Sequence, residues 1–272
     1  MSFLKQLFNF YINSSIHVAL AVYALAWITL LELELDYDEN LLYFIFYASI
    51  TGYNFVKYFG IARFHHRQLA DYLKWIQVFS FFCFALMCYY GFYLELKTLA
   101  VSLVLSVLTF LYAIPLSSNR KFALRNISGL KVYVIAFTWA GVTVMLPLVE
   151  LNLEMNADIV LMMLKRFLFI VVLMLPFEIR DLKYDTATLG TLPQKLGLKG
   201  AKRLGIFLLI LFFVMEFFKD ETRVSYIFVL LVIAVITGIF VAFSKVSQGK
   251  YYSAFWVEGI PMLWLILLLM FG

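Results

Sequence analysis

The 272-residue sequence is poor in charge and has only two cysteines. Asp, Glu, Lys and Arg make up 14% of it, hydrophobic residues make up 64%, and the mean hydropathy is +0.92. Because soluble domains carry about a quarter charged residues, this composition excludes a soluble globular protein. Cys83 and Cys88 lie five residues apart in one apolar run, on different faces of a helix, and cannot form a disulfide with each other there.

Long uncharged runs indicate transmembrane helices. A helix needs about 20 apolar residues to cross a membrane, and the alternating ten-residue segments of a membrane barrel are absent from the sequence. We therefore expect an all-α polytopic membrane protein, with one domain over residues 1–272 and nine transmembrane helices. The predicted spans are residues 14–32, 40–59, 74–94, 97–116, 128–149, 159–178, 203–219, 224–244 and 252–271.

Basic residues are concentrated in the loops on one predicted side of the membrane, whereas residues 32–40 on the other side are almost purely acidic. Because Lys and Arg favour cytoplasmic loops, this predicts a cytoplasmic N-terminus and an outer C-terminus. We expect the bacterial cytoplasmic membrane as the location. The net charge of +5 averages two opposed faces, so it does not indicate nucleic-acid binding.

Three acidic residues after the sixth predicted span form the most informative pattern. Glu178, Asp181 and Asp185 stand at i, i+3 and i+7, so on a continuous helix they would share one face. Two interpretations remain open from the residues alone. The stripe is either a solvated helix end paired with nearby Lys and Arg, or a site where carboxylates hold Mg²⁺ and the ion holds a substrate phosphate.

This segment resembles the second aspartate-rich motif of UbiA-type intramembrane prenyltransferases. Asp181 and Asp185 form a D-x-x-x-D pair, and Gly-Thr-Leu-Pro at 190–193 with Leu-Gly at 196–197 is similar to the stretch that follows it in the family. Glu258 stands near the start of the last span, where an aspartate is common in the family.

A second part of the resemblance lies after the fourth predicted span. Tyr112 and Pro115 resemble the Y-x-x-P pattern of the family, and Arg120 and Lys121 resemble its basic segment. With the predicted count of nine spans, the resemblance covers nearly the whole chain.

The resemblance implies a helical barrel around a central cavity. A prenyl diphosphate would bind there through Mg²⁺ and give its prenyl group to a lipophilic acceptor, aromatic or quinone-precursor, within the membrane. Asp181 and Asp185 are the implied catalytic and metal-binding residues, with Glu178 as a further metal ligand. The expected partners are these two substrates, membrane lipids and a membrane protein that forms a complex with the chain.

The first aspartate-rich motif of the family is missing here. With its Asn aligned on Asn54, its acidic positions fall on Phe55, Tyr58 and Ala62. The segment is basic instead, so the implied substrate-binding set combines amide, phenol and cationic groups. Its members are Asn54, Lys57, Arg63, Tyr112, Arg120 and Lys121.

Three alternatives follow from the missing motif. The site holds one metal ion, with basic side chains neutralising the diphosphate directly; it takes another ionic headgroup; or the protein is a non-catalytic, lipid-binding or complex-forming subunit. A transporter is less favoured, because Gly- or Pro-broken spans do not recur in repeated positions.

Other polar residues within or beside the spans have ordinary structural interpretations. We expect Lys165 and Arg166 to extend towards the outer interface, His17 to be a buried histidine with its hydrogen bonds satisfied, and His65 and His66 to lie in a polar loop. Glu258 either faces the cavity or pairs with a basic residue, Lys250 or Arg203. The aromatics that the sequence suggests for the cavity wall are Tyr89, Tyr90, Tyr112 and Tyr133.

Overall fold

The computed structural model of the protein describes residues 3–58, 69–113, 129–185 and 189–272, with backbone alone for residues 69–72, 112 and 113. All regular structure in these residues is helical, as predicted. The α-helices are α1 (Phe3–Asn13), α2 (Ile16–Glu32), α3 (Glu39–Tyr58), α4 (Leu69–Gly91), α5 (Leu96–Ala113), α6 (Leu130–Ala140), α7 (Leu146–Glu150), α8 (Ala157–Asp181), α9 (Leu192–Val214), α10 (Val224–Phe243) and α11 (Ile260–Phe271).

Five helical stretches of the described residues are long and apolar enough to cross a membrane, which fits an integral membrane protein. A sixth is added if α1 and α2, which meet at an angle of 52°, form one broken span. Helix occurs in each of the nine predicted ranges, but the count of nine spans stays a prediction. The five stretches are Leu73–Gly91, Leu130–Glu150, Ala157–Asp181, Val224–Phe243 and Tyr252–Phe271.

Helix α8 lies at the centre of the bundle and packs against α6, α9 and α10. Phe169 of α8 is fully buried, and its ring contacts Phe212 and Trp264 at centroid distances of 5.4 and 5.2 Å. Helices α4 and α5 lie at the edge instead, where Phe81 and Leu103 are more than 60% exposed. In a membrane such apolar side chains face lipid.

Within the described residues, two π-helical segments interrupt the spans. One, Gly141–Met145, joins α6 to α7, and the other, Tyr252–Val257, precedes α11. Gly141 allows close packing on α5, because a Cβ at this position would lie 2.8 Å from Leu105 Cδ2. Single-turn π segments inside helices are frequent near functional sites.

The expectation for Lys165 and Arg166 is wrong: both side chains are buried, at 3% and 2% exposure. Lys165 forms an ion pair with Glu216, which follows it by 51 residues. Arg166 donates to the Leu25 carbonyl at 2.6 Å and to Thr29 Oγ1 at 3.2 Å. Neither side chain needs to reach the interface, because the bundle itself supplies partners for both charges.

The predictions for His17 and the cysteines are confirmed. His17 is buried; its Nδ1 lies 2.7 Å from the Tyr11 hydroxyl and its Nε2 lies 2.8 Å from the Phe255 carbonyl. Cys83 and Cys88 are both free thiols.

Candidate functional site

A cavity of about 480 Å³ lies between α2, α3, α5 and α6 and reaches the connection between α8 and α9. Its volume falls within the roughly 300–1,000 Å³ of ligand pockets. Most of its wall is aliphatic or aromatic. The apolar lining includes Val22, Phe44, Ile45, Ala48, Val56, Val134, Ile135, Trp139, Val142, Leu146 and Leu189.

Among the described residues, three charged ones line one end of this cavity: Lys57, Lys131 and Asp185. We call them the charged end. Each lies near a helix end: α3 ends at Tyr58, α6 begins at Leu130 and α8 ends at Asp181. The amide of Gly129 donates to the Leu189 carbonyl at 2.8 Å, which ties the start of α6 to the segment after α8.

Gly129 is needed for this junction. Its φ of 80° lies in the left-handed region, which side chains other than glycine adopt at a cost. A Cβ here would also lie 2.9 Å from the Gly190 carbonyl oxygen. The junction therefore positions Lys131 and Asp185 on the same end of the cavity.

The acidic stripe predicted after the sixth span is not continuous. Helix α8 ends at Asp181, and a turn follows in which the amides of Tyr184 and Asp185 both donate to the Asp181 carbonyl, at 2.8 and 2.9 Å. Asp185 lines the cavity. The carboxylate of Asp181 instead accepts two hydrogen bonds from the Arg180 guanidinium, at 2.8 and 3.3 Å.

Glu178, the third predicted metal ligand, is 2% exposed and accepts a hydrogen bond from the Leu192 amide at 3.2 Å. Across the described ranges, no three His, Cys, Asp or Glu side chains come close enough to hold a metal ion. The described residues therefore do not form a three-ligand metal centre, and the implied metal set of Glu178, Asp181 and Asp185 stays a proposal.

The side chain of Asn54 is buried and connects neighbouring helices. It is 4% exposed; its amide nitrogen donates to the Ser14 carbonyl at 2.9 Å and to Ser80 Oγ at 2.8 Å, and its oxygen accepts from Ser15 Oγ at 2.8 Å. These bonds hold α3 against α4 and against the bend between α1 and α2. The amide that aligns with the remnant of the first motif thus has its hydrogen bonds satisfied within the bundle.

Lys57 is the predicted substrate-binding residue that the structure places on the cavity wall. Its Nζ donates to the Asn13 carbonyl at 3.0 Å and lies 5.4 Å from the centroid of the Tyr58 ring. Tyr112 belongs to α5 by its backbone, and its side chain lies outside the described residues. Arg63, His65, His66, Arg120 and Lys121 also lie outside them.

Glu258 lies between the second π segment and α11 and is partly buried. In the part of the chain that the structure describes, it forms no ion pair with Lys250 or Arg203; Lys250 donates to Asn9 Oδ1 instead, at 3.0 Å. The cations that act electrostatically on Glu258 are Lys57 and Arg180. The carboxylate therefore belongs to the surroundings of the charged end.

Sequence reasoning missed several cavity residues, among them Lys131, Tyr53 and Trp139. Tyr53 precedes Lys57 by four residues, and this spacing on a helix was the signal that both share a face. The aromatics suggested from the sequence do not line the cavity where their side chains are described. Tyr89 and Tyr133 are 53% and 42% exposed at the edge of the bundle.

No protein-family model matches the sequence, and no curated protein matches it either. A solved structure of digeranylgeranylglyceryl phosphate synthase in membranes is similar in fold, with a TM-score of 0.57. The match covers 98% of each chain at 14% sequence identity. At this identity the likeness shows the fold alone.

Proposed function

We propose that this protein binds a prenyl diphosphate in its cavity and transfers the prenyl group to a lipophilic acceptor, aromatic or quinone-precursor, within the membrane. The observation that carries the proposal is the composition of the cavity, whose wall is apolar and whose one end carries Lys57 and Lys131. An isoprenoid chain with an anionic head has the same division. The fold shared with a membrane prenyltransferase supports this assignment.

The chemistry requires groups that stabilise two developing charges. As the bond between the prenyl carbon and oxygen breaks, negative charge grows on the leaving diphosphate, and fixed cations beside it lower the barrier. Lys57 and Lys131 supply those cations. The allylic cation that remains needs electron-rich ring faces in a dry site, and Phe44, Tyr53 and Trp139 line the cavity.

Use of Mg²⁺ is a separate part of the proposal and rests on the D-x-x-x-D pair. Asp185 is the member of that pair on the cavity wall. We expect Asp185→Asn to raise the Mg²⁺ concentration needed for half-maximal diphosphate release at least tenfold. A Mg²⁺ requirement that is the same in Asp185→Asn and in the unaltered protein would contradict metal binding there.

Diphosphate release from labelled geranylgeranyl diphosphate, with a membrane-lipid extract as acceptor source, tests the proposal as a whole. We expect release by the purified protein and at least a tenfold loss in Asp185→Asn. Asp158→Asn is the matched control, since Asp158 accepts from the Asp220 amide at the opposite end of α8, far from the cavity. Release that persists unchanged in Asp185→Asn would contradict the assigned site.

A non-catalytic, lipid-binding subunit is the second candidate, and one observation favours it. Asn54, the remnant of the first motif, holds helices together. In that case the protein would bind labelled geranylgeranyl diphosphate without cleaving it to release diphosphate. A membrane protein would copurify with the chain in fixed ratio. Release with transfer to an extracted lipid would eliminate this candidate.

A further inference from the structure

Among the uncharged polar residues that line the cavity are Tyr53 on α3 and Thr138 and Trp139 on α6. We call these three the hydroxyl site. Tyr53 precedes Lys57 by one helical turn, which is about 6 Å along α3. Thr138 follows Lys131 by two turns, about 10 Å along α6. The hydroxyl site is therefore deeper in the cavity than the lysines.

The hydroxyl of Tyr53 is oriented by Trp139. The indole Nε1–H donates to the Tyr53 oxygen at 2.7 Å, and the two rings lie nearly perpendicular, at 87°. Since that oxygen already accepts a hydrogen bond, the phenolic proton is left to be donated. Among the described residues Tyr53 has no acceptor for it, and the side chain lines the cavity.

Thr138 differs from three other threonines of the bundle. Thr109, Thr143 and Thr237 each donate to the carbonyl four residues earlier, at 2.7–2.9 Å. The buried Oγ1 of Thr138 has no hydrogen-bond partner within the described ranges. A buried hydroxyl without a partner is costly, and because Thr138 itself lines the cavity, a ligand oxygen bound there would supply the missing partner.

We propose that the hydroxyl site binds an oxygen atom of the acceptor lipid, which makes the acceptor an alcohol, a phenol or a carbonyl compound and not a plain hydrocarbon. Tyr53 donates to this oxygen, and Thr138 supplies a second hydrogen bond. If the diphosphate group binds to Lys57 and Lys131, the prenyl carbon attached to it lies at about the depth of Tyr53 and Thr138 in the cavity. The role as acceptor rests on the proposed function, whereas the binding of a lipid oxygen does not.

Equilibrium binding to the purified full chain in detergent tests this, with labelled geranylgeraniol and the C20 hydrocarbon that lacks only its hydroxyl as probes. We expect the alcohol to bind about tenfold more tightly. Tyr53→Phe and Thr138→Val each reduce that preference at least threefold. Thr109→Val is the matched control: Thr109 also lines the cavity, but its hydroxyl is already bonded, so the preference stays unchanged.

A stability measurement separates binding from folding. Thr138→Val removes an unbonded hydroxyl and keeps the shape, so its unfolding temperature should equal or exceed that of the unaltered protein while the preference falls. Lys57→Gln should keep the preference, because the lysine binds the anionic head. Equal binding of both probes, an equal loss in Thr109→Val, or loss of preference in Lys57→Gln would overturn the proposal.

The outcome is independent of prenyl transfer. If the protein prefers the alcohol but releases no diphosphate, the hydroxyl site is supported and the proposed reaction is contradicted. If the protein releases diphosphate but does not prefer the alcohol, the proposed reaction is supported and the hydroxyl site is contradicted.

Discussion

The two ends of the helical bundle use the same residue types in opposite ways. At the charged end, Lys57, Lys131 and Asp185 line an open cavity. At the other end, five charged residues of the described ranges have buried side chains; we call them the closed end. They are Glu32, Lys165, Arg166, Glu216 and Lys219.

The difference lies in what satisfies each charge. At the closed end, Lys219 lies 3.1 Å from carboxylate oxygens of both Glu32 and Glu216, and all three side chains are more than 90% buried. At the charged end, the exposed Lys57 donates to a backbone carbonyl and keeps two of its three donors for other contacts. Burial and pairing therefore separate charges that hold the bundle from charges that can bind a ligand.

The largest expected effect is at the closed end. Glu216→Gln leaves Lys165 buried without its carboxylate and takes one partner from Lys219, so we expect a loss of about 3–5 kcal/mol in the free energy of unfolding. Thermal unfolding in detergent measures it. The double variant Lys165→Met, Glu216→Leu should recover most of the loss, because a buried pair replaced by apolar groups is often neutral. An unchanged unfolding temperature in Glu216→Gln would contradict the comparison.

A substitution of Asn54 tests whether this predicted site residue holds the bundle together or binds the ligand. Asn54→Ala removes three hydrogen bonds of about 1 kcal/mol each, so we expect about 2–3 kcal/mol of destabilisation and an unchanged dissociation constant for prenyl diphosphate. Unfolding and binding are measured on the same preparation. Weaker binding at unchanged stability would place Asn54 in the substrate site after all.

At the charged end we expect weaker ligand binding with nearly unchanged stability. Lys57→Gln removes one charge-assisted contact of about 1.5–3 kcal/mol, so we expect prenyl diphosphate to bind at least tenfold more weakly at nearly unchanged stability. Lys202→Gln is the matched control, because Lys202 also donates to a carbonyl, that of Ala242 at 2.7 Å, but does not line the cavity. Equal weakening in both variants would indicate a general charge effect.

The smallest effect is expected for an exposed charge pair beside the closed end. Arg223 pairs with Glu34, and the two side chains are 50% and 65% exposed. Exposed pairs contribute about 0–1 kcal/mol, so Arg223→Gln should leave the unfolding temperature within about a degree. A loss comparable to that of Glu216→Gln would show that exposure does not distinguish the two classes.

The sequence was sufficient for the helical membrane class and for residues whose surroundings are local. His17 and the free cysteines could be predicted because a polar or small side chain within an apolar run needs a nearby partner or a close fit. Lys165 and Arg166 could not, since Glu216 follows Lys165 by 51 residues and only packing brings them together.

The candidate site was harder to predict than the helices. The stripe of Glu178, Asp181 and Asp185 assumed a continuous helix, whereas α8 ends at Asp181. Trp139 was missed because α6 is apolar nearly all round and carries no amphipathic signal for the face that turns inward, whereas for Tyr53 the spacing from Lys57 was the signal available. The cavity wall is set by such inward faces.

The π segment at Gly141–Met145 has a consequence for how such a cavity can change. Each residue advances a helix by about 100°, so deleting one residue from this segment would rotate α7 by that angle. Leu146, which lines the cavity beyond the segment, would then point elsewhere, although no side chain had been replaced. Loss or gain of a single codon here would remodel the binding space more than most point substitutions.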